Sequence, residues 1–343
     1  MRERPGHVTD ADVLEMVRSG WDPEIDEVVH LPVGFGAHHW AARAGGERRL
    51  FVTLDGLEPR HSPESLEGAY AGAAALFDAG LEFVVPSLRA EPGTFTVPLG
   101  SGALSATGWV DGTVAGTGDL PDREAAEANA RILERLHAAT PPPGLPTWRP
   151  LVGDAFAAVL ERRTASAWDT GPYAERVRLA LRERLDTIDR WVGAYHRLAD
   201  EAGSRPWVAT HGEPHTRNQL VAAEGVLLVD WESLGLAPRE RDLRTLVDSG
   251  HEDLARPHWP MVEMFDLEWR LDEISQYAAW FAAPHTGNAN DDVAFAGLLS
   301  ELERPGLSPS SSSRRTGSSG QAARPVPPAG GHRGPGAGPP RGR

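Results

Sequence analysis

The sequence predicts an α+β protein of two lobes, a small antiparallel sheet with one inserted helix followed by a mostly helical half. Three observations predict it. Residues 27–110 alternate short apolar runs with Gly-x-Gly and Gly-Gly turns. Residues 122–303 carry apolar side chains mainly at helical spacing. Composition breaks near Arg304, after which Pro, Gly, Ser and Arg dominate. The expected boundaries are 1–108, 109–304 and 305–343, and 343 residues suffice for two lobes and a sizeable core.

Thr9 or Asp10 can cap a helix running to about Ser19. The stretch from Val28 to Asp55 reads as three strands, turning at Gly34-Phe35-Gly36 and at Gly45-Gly46. Ser62-Pro63-Glu64 is a helix start, with a cap, a first-turn proline and an acid near the positive end; that helix stops at Gly80. Strands follow at 93–98 and 103–110. A helix at 122–139 is broken by Pro141-Pro142-Pro143-Gly144. The stripe Val177, Leu181, Leu185, Ile188, Val192 and Tyr195 predicts one long helix from Tyr173 to Ala202. Two strand-like runs then flank a polar loop, and helices at 239–249, 259–283 and 289–303 complete the body. The tail has Leu307 and Val326 as its only large apolar residues, too few to offset chain entropy, so it is expected to be disordered. A basic docking arm and a frame-shifted end are open readings of it.

Composition excludes several chemistries. There is no cysteine, hence no disulfide, thiolate metal site or thiol nucleophile. Every one of the 34 basic residues is Arg, which removes a Walker-type lysine and any lysine Schiff base. Six of those arginines lie in the acid-free tail, leaving the body 28 against 49 acidic residues, a net of −21. Such a charge argues against nucleic acid and anionic lipid as partners. The N-terminal residues lack the apolar stretch of a signal peptide, and no run approaches ~18 apolar residues, so no membrane span is expected and the cytoplasm is the default compartment.

The chemistry is concentrated in His211-Gly212-Glu213-Pro214-His215-Thr216-Arg217-Asn218, followed by Val229-Asp230-Trp231-Glu232. A loop between buried strands projects a carboxylate, an amide and a second carboxylate at fixed spacing, an oxygen-rich set suited to Mg²⁺ and phosphate oxygens. Protein kinases divide labour in the same way, with a loop acid receiving the hydroxyl proton and an Asn and a later Asp holding metal. The His211/His215 spacing matches the helical zinc motif, but Gly-Glu-Pro between them opposes a helix. His-x-Glu opens the zinc deaminase signature, which fails without cysteine.

These segments, with Pro238-Arg239-Glu240-Arg241-Asp242-Leu243, resemble the aminoglycoside phosphotransferase family of small-molecule kinases, nearest its spectinomycin and hygromycin branch. Leu133, Leu136 and His137, and the late Pro284-His285-Thr286-Gly287, support the resemblance. It implies the two-lobed protein-kinase-like fold and transfer of a phosphoryl group from ATP or GTP, with Mg²⁺, to a small-molecule hydroxyl. It implies catalytic roles for Glu213 and His211 and metal binding by Asn218 and Asp230. Gly34, Phe35 and Gly36 would cover the nucleotide, and Gly108, Trp109 and Val110 would meet adenine at the interlobe hinge. Glu232 and His215 would face substrate. The acids at 252, 253, 263, 266, 268, 272 and 273 would suit a cationic acceptor such as an aminoglycoside.

Two positions depart from the family pattern. Glu213 replaces the usual Asp, a shift of about 1–1.5 Å in the carboxylate that can cost on the order of 10²-fold in rate if uncompensated. Thr53 stands where kinases carry the third-strand lysine that holds phosphate and pairs with a helix glutamate, here Glu64 or Glu67. Arg49 shares the strand face but lies about 13 Å away at ~3.3 Å per residue. Arg43 and Arg60 are the other candidates. An active enzyme with different phosphate anchoring, a pseudokinase and a binding scaffold are the three resulting readings.

Overall fold

The computed structural model describes residues 3–34, 36–57, 60–91, 93–116 and 118–306. Phe35 and all of the predicted tail except Pro305 and Gly306 lie outside the described residues. The chain opens with α1 (Asp10–Gly20), capped by Thr9, whose side chain accepts from the Asp12 amide while Asp12 returns a bond to the Thr9 amide. Strands β1 (Glu27–Leu31), β2 (His38–Ala44), β3 (Glu47–Gly56), β4 (Val97–Leu99) and β5 (Gly102–Gly108) form one antiparallel sheet in the order β1-β2-β3-β5-β4. Between β3 and β4 lies α2 (Pro63–Asp78), capped by Ser62.

The expected strand at 93–98 shrinks to Val97–Leu99 because its first amides are taken elsewhere. Phe95 and Thr96 donate their N–H groups to the Glu67 carboxylate on α2, at 2.9 Å, instead of entering a ladder. Glu67, one of the two expected lysine partners, is therefore bound to backbone.

On β3, Val52 and Leu54 pack against Val13 and Val17 of α1. Strand alternation turns Thr53 and Asp55 to the opposite face. Beyond β5 the chain crosses to a second sheet, where β6 (Thr113–Val114) pairs with β8 (Gln219–Ala222), and β8 with β9 (Gly225–Leu228). A third pairing joins β7 (Val208–Thr210) to β10 (Gly235–Ala237).

The helices of this half are α3 (Arg123–Ala138), α4 (Phe156–Arg163), α5 (Ala174–Glu183), α6 (Leu185–Ala202), α7 (Arg244–Asp248), α8 (Glu252–Ala255), α9 (Trp259–Ala282) and α10 (Ala289–Glu303). The single long helix expected over 173–202 is broken at Arg184, whose amide bonds Leu181 O, three residues back rather than four. Helix α4 was not expected. The helix expected at 239–249 begins instead as a 3-10 turn, Arg239–Asp242. Glu240 and Asp242 are both buried. Helices α5, α6, α9 and α10 enclose the main core around Leu181, Ile188, Leu271 and Phe281.

A second core joins the halves. Leu66, Ala69, Tyr70 and Ala73 of α2 cluster with Leu136, Leu145, Leu228, Trp231 and Leu234. The segment 144–146 runs so close to α2 that a Cβ on Gly68 would lie 2.8 Å from Gly144 O, and one on Gly72 would lie 2.2 Å from Leu145 Cδ2. Glycine is required there for the close approach.

Candidate active site

Strand β7 delivers the chain into the polar loop, and Asp242 fixes the loop's shape. Its wholly buried carboxylate accepts from His211 N at 3.0 Å and Gly212 N at 2.7 Å, and lies 2.9 Å from His137 Nε2. Burial alone would raise this carboxyl, but the His137 contact and the surrounding charges hold it below the usual range. Gly212 turns the chain at φ +98°, and a Cβ there would meet Arg241 Nη2 at 2.7 Å. Arg241 in turn binds Thr210 Oγ1 at 3.1 Å and Ser233 O at 2.8 Å beneath the loop.

His211 is fully enclosed. Its Nε2 lies 2.9 Å from Val229 O, its Nδ1 accepts from Glu213 N at 3.2 Å, and its ring packs on Trp231 at 4.4 Å. Those contacts fit the neutral tautomer with the proton on Nε2. Burial pushes the imidazole down to about 4. Both nitrogens are thus occupied by backbone.

Glu213 emerges from this brace with a side chain 20% exposed. Burial works to raise its carboxyl, but His215 and Arg60 more than offset it and keep the group below its ordinary value. His215 Nε2 stands 3.6 Å from Glu213 Oε2. Asn218, buried, donates Nδ2 to Glu213 O at 3.0 Å, which leaves Oδ1 as its acceptor end. Asp230 takes the left-handed conformation at φ +70°, uncommon for a side-chain-bearing residue, and is exposed. Desolvation raises its carboxyl, the neighbouring Glu232 works against that, and Glu213 adds to the rise. Burial, and then Asp230, Glu213 and Asp55, push the Glu232 carboxyl well above normal.

Among the described residues no group of three or more His, Asp or Glu side chains is placed to hold a metal ion by itself. A hard cation that keeps waters and phosphate oxygens does not need one. The residues present fit such a cation, because Glu232 Oε2 is shielded from solvent beside Asp230 and has no hydrogen-bond partner.

The opposite wall is the face of the five-stranded sheet. His39, Thr53 and Ser105 stand side by side on β2, β3 and β5, all buried. His39 Nδ1 lies 3.2 Å from Thr53 Oγ1. Burial drives the His39 imidazole down to about 3. One step along β3, Asp55 accepts from Tyr70 Oη at 2.6 Å, and burial lifts its carboxyl to about 7 against that bond. Among the described residues no charged pair is formed at Thr53. Phe51 lines the same face between His39 and Trp109, at 5.1 and 6.2 Å between rings. Trp109 follows β5, its amide donating to Arg49 O at 2.8 Å, with Gly108 before it and Val110 after it. Gly34 and Gly36 turn between β1 and β2 with φ of +69° and +104°.

Of the predicted site residues, Glu213, His215 and Glu232 line one cavity of about 820 Å³, whereas His211, Asn218, Asp230, Gly34, Gly36, Gly108, Trp109 and Val110 do not. The acids of α9 are largely engaged within the protein. Asp266 meets Arg304, Glu268 accepts from Trp148 Nε1 at 2.9 Å and from Tyr195, and Asp272 and Glu273 hold Arg60. Three of the four, Asp266, Glu268 and Asp272, also line that cavity, so their carboxylates are at once internally paired and at its wall. Arg43 and Arg49 point to the rim, where they pair with Glu27 and with Asp22 and Glu24. Sequence reasoning missed Asp242 as the loop's anchor, although it had singled out both Asp242 and His137 in separate motifs. The quoted His285 is structural, its Nε2 accepting from Tyr173 N at 3.1 Å.

A small antiparallel sheet set over a helical half, with a carboxylate-bearing loop in the crevice, defines a protein-kinase-like phosphotransferase. The chain belongs to the phosphotransferase enzyme family, which it matches over residues 27–292. It is 28% identical over 304 residues to Protein StrN of Streptomyces griseus, covering 83% of this chain and 89% of that protein. The fold is shared with the spectinomycin phosphotransferase APH(9)-Ia solved with ADP and spectinomycin, at a TM-score of 0.66 and 14% identity over 87% of this chain and 95% of that one. It is also shared with the amicoumacin kinase hAmiN solved with AMP-PNP, Ca²⁺ and Ami, at a TM-score of 0.51 and 12% identity over 88% and 96%. No helix of the described residues is long and apolar enough to cross a membrane.

Proposed function

We propose that the protein transfers the γ-phosphoryl group of ATP, or GTP, to a hydroxyl of a small polar molecule, with aminoglycosides and aminocyclitols as the first class to test. The observation that carries this reading is Glu213, held ionised on a braced loop at the wall of the 820 Å³ cavity. Glu213 orients the acceptor hydroxyl and receives its proton. The acceptor oxygen bonds to the γ-phosphorus while the bond to the bridging oxygen breaks and leaves the nucleoside diphosphate. Asn218 and Asp230, with Glu232 beside them, are the residues that would hold Mg²⁺. When bound, that cation supplies charge neutralisation across the phosphates. His211 keeps the loop in register. The turn 34–36 and the hinge residues 108–110, apart from the acceptor cavity, would serve the nucleotide. The proteins of the same fold solved with ADP and spectinomycin, and with AMP-PNP, Ca²⁺ and Ami, support the reading.

Nucleotide turnover with a panel of aminoglycosides and aminocyclitols tests it directly. Glu213→Gln should lower turnover on the order of 10²–10⁴-fold. Asn218→Ala and Asp230→Ala should abolish the Mg²⁺ dependence of ATP-induced thermal stabilisation. If both variants retain that dependence, the metal assignment is wrong.

A further inference from the structure

We propose that Arg60 is a catalytic residue that contacts the transferring phosphoryl group and supplies the cation this chain lacks at the third-strand lysine position. The assignment rests on the phosphotransferase reading above and adds to it a residue outside the family's motif.

Among the described arginines of the sheet-bearing half, Arg60 is the one that lines the cavity with Glu213. Arg43 and Arg49 are held at the rim, and Arg48 lies over the Trp109 ring at 4.7 Å. Arg60 precedes α2 and reaches across the crevice to α9. Its Nε donates to Asp272 Oδ2 at 2.8 Å, and its Nη2 donates to Glu273 Oε1 at 3.0 Å. Gln276 Nε2 steadies Asp272 Oδ2 at 2.8 Å, and the Trp269 ring lies 6.0 Å from the guanidinium carbon. Two carboxylates therefore fix the guanidinium plane. The third nitrogen, Nη1, faces Glu213 Oε1 at 4.0 Å, too far for a hydrogen bond.

That distance places Nη1 at the reacting centre. An acceptor hydroxyl on Glu213 sits ~3 Å from the carboxylate, and its attack requires phosphorus ~3–3.5 Å further on. A guanidinium edge 4.0 Å from the same carboxylate is within reach of the non-bridging oxygens of that phosphoryl. These oxygens carry the transition-state charge, which a guanidinium supplied in cis can neutralise. The need is marked here, because Asp230 and Glu232 stand close to Glu213 and Thr53 brings no charge. Arg60 changes no bond: its N–H groups donate to phosphoryl oxygens while the hydroxyl proton passes to Glu213 and the bridging-oxygen bond breaks.

The test uses the full chain, MgADP, and MgADP with aluminium fluoride as a planar mimic of the phosphoryl in flight. Wild-type protein should be stabilised by MgADP and further by fluoroaluminate. Arg60→Lys, which keeps a charge for Asp272 and Glu273 and so protects folding, should bind MgADP within ~3-fold of wild type yet lose the fluoroaluminate increment. Arg60→Gln should lose it too, with kcat falling on the order of 10³-fold and KM for ATP nearly unchanged. A full increment in Arg60→Lys and Arg60→Gln would overturn the assignment. So would Arg60→Gln binding methylguanidinium more tightly than wild type, since Arg60 would then be a stand-in for a cationic acceptor group. Wild-type protein unmoved by MgADP would overturn the nucleotide reading itself, and the assignment with it.

Discussion

The two walls of the crevice solve the same electrostatic problem in opposite ways. On the sheet wall, His39, Thr53 and Ser105 form a row of buried neutral groups, and Asp55 is lifted to about 7 beside Tyr70. On the helical wall, carboxylates are held charged by explicit partners: Asp242 by His137 and two loop amides, Glu213 by His215 and Arg60. The difference teaches where the missing lysine went. Its position holds a hydroxyl, and the cation of that half crosses the gap from the loop before α2 and is anchored on the opposite wall.

The sharpest way to break this comparison is to weaken the charged wall where it supports the loop. Asp242→Asn leaves His211 N and Gly212 N facing an uncharged amide. Turnover should fall on the order of 10²-fold as Glu213 drifts, with ~1–3 kcal/mol of stability lost. Steady-state kinetics and urea unfolding measure the two effects. A variant with wild-type kcat would show that the loop holds itself.

A smaller effect is expected from charging the neutral wall. Thr53→Lys forces a long side chain against His39, 3.2 Å away, and should cost ~1–3 kcal/mol through overpacking. It should not raise kcat, since Arg60 already supplies the cation. A tenfold gain in kcat would instead mark the neutral wall as a defect.

The mildest expected effect is acid sensitivity of the sheet wall. The folded pKa of His39 lies near 3, below the ordinary 6.5, so the unfolded chain takes up the proton first. Its contribution is intact above pH 6.5 and is lost as pH falls towards 3, by at most ~1.4 kcal/mol per pH unit. Urea midpoints at pH 7 and pH 5 measure the slope, and His39→Gln should lessen it, with His38, His61 and His211, each pushed down to about 4 by burial, supplying the remainder. An unchanged slope would show that other groups set the acid limit.

The loop chemistry was legible because phosphoryl transfer needs its oxygen ligands at short, fixed spacing, and spacing survives in a sequence. The helix ends at Ser62 and Asn288 were equally local, each written in a cap and its first turn. Arg60 was only one name among three, since its partners lie 212 and 213 residues away. Asp242 stood in a recognised motif, but its meaning depended on two amides and a histidine from α3. The break at Arg184 carries no proline or glycine, and α4 is too short to show a stripe. The truncation of β4 followed from one glutamate on a neighbouring helix, which no strand pattern reveals.

The two glycines on α2 have a consequence for control. With Leu145 wedged at Gly72 and Gly144 against Gly68, the helix is seated on the catalytic half like a keyed shaft. Swinging it outward would open a void in a core shared by both halves. A control device that rotated this helix would have to break that shared core first.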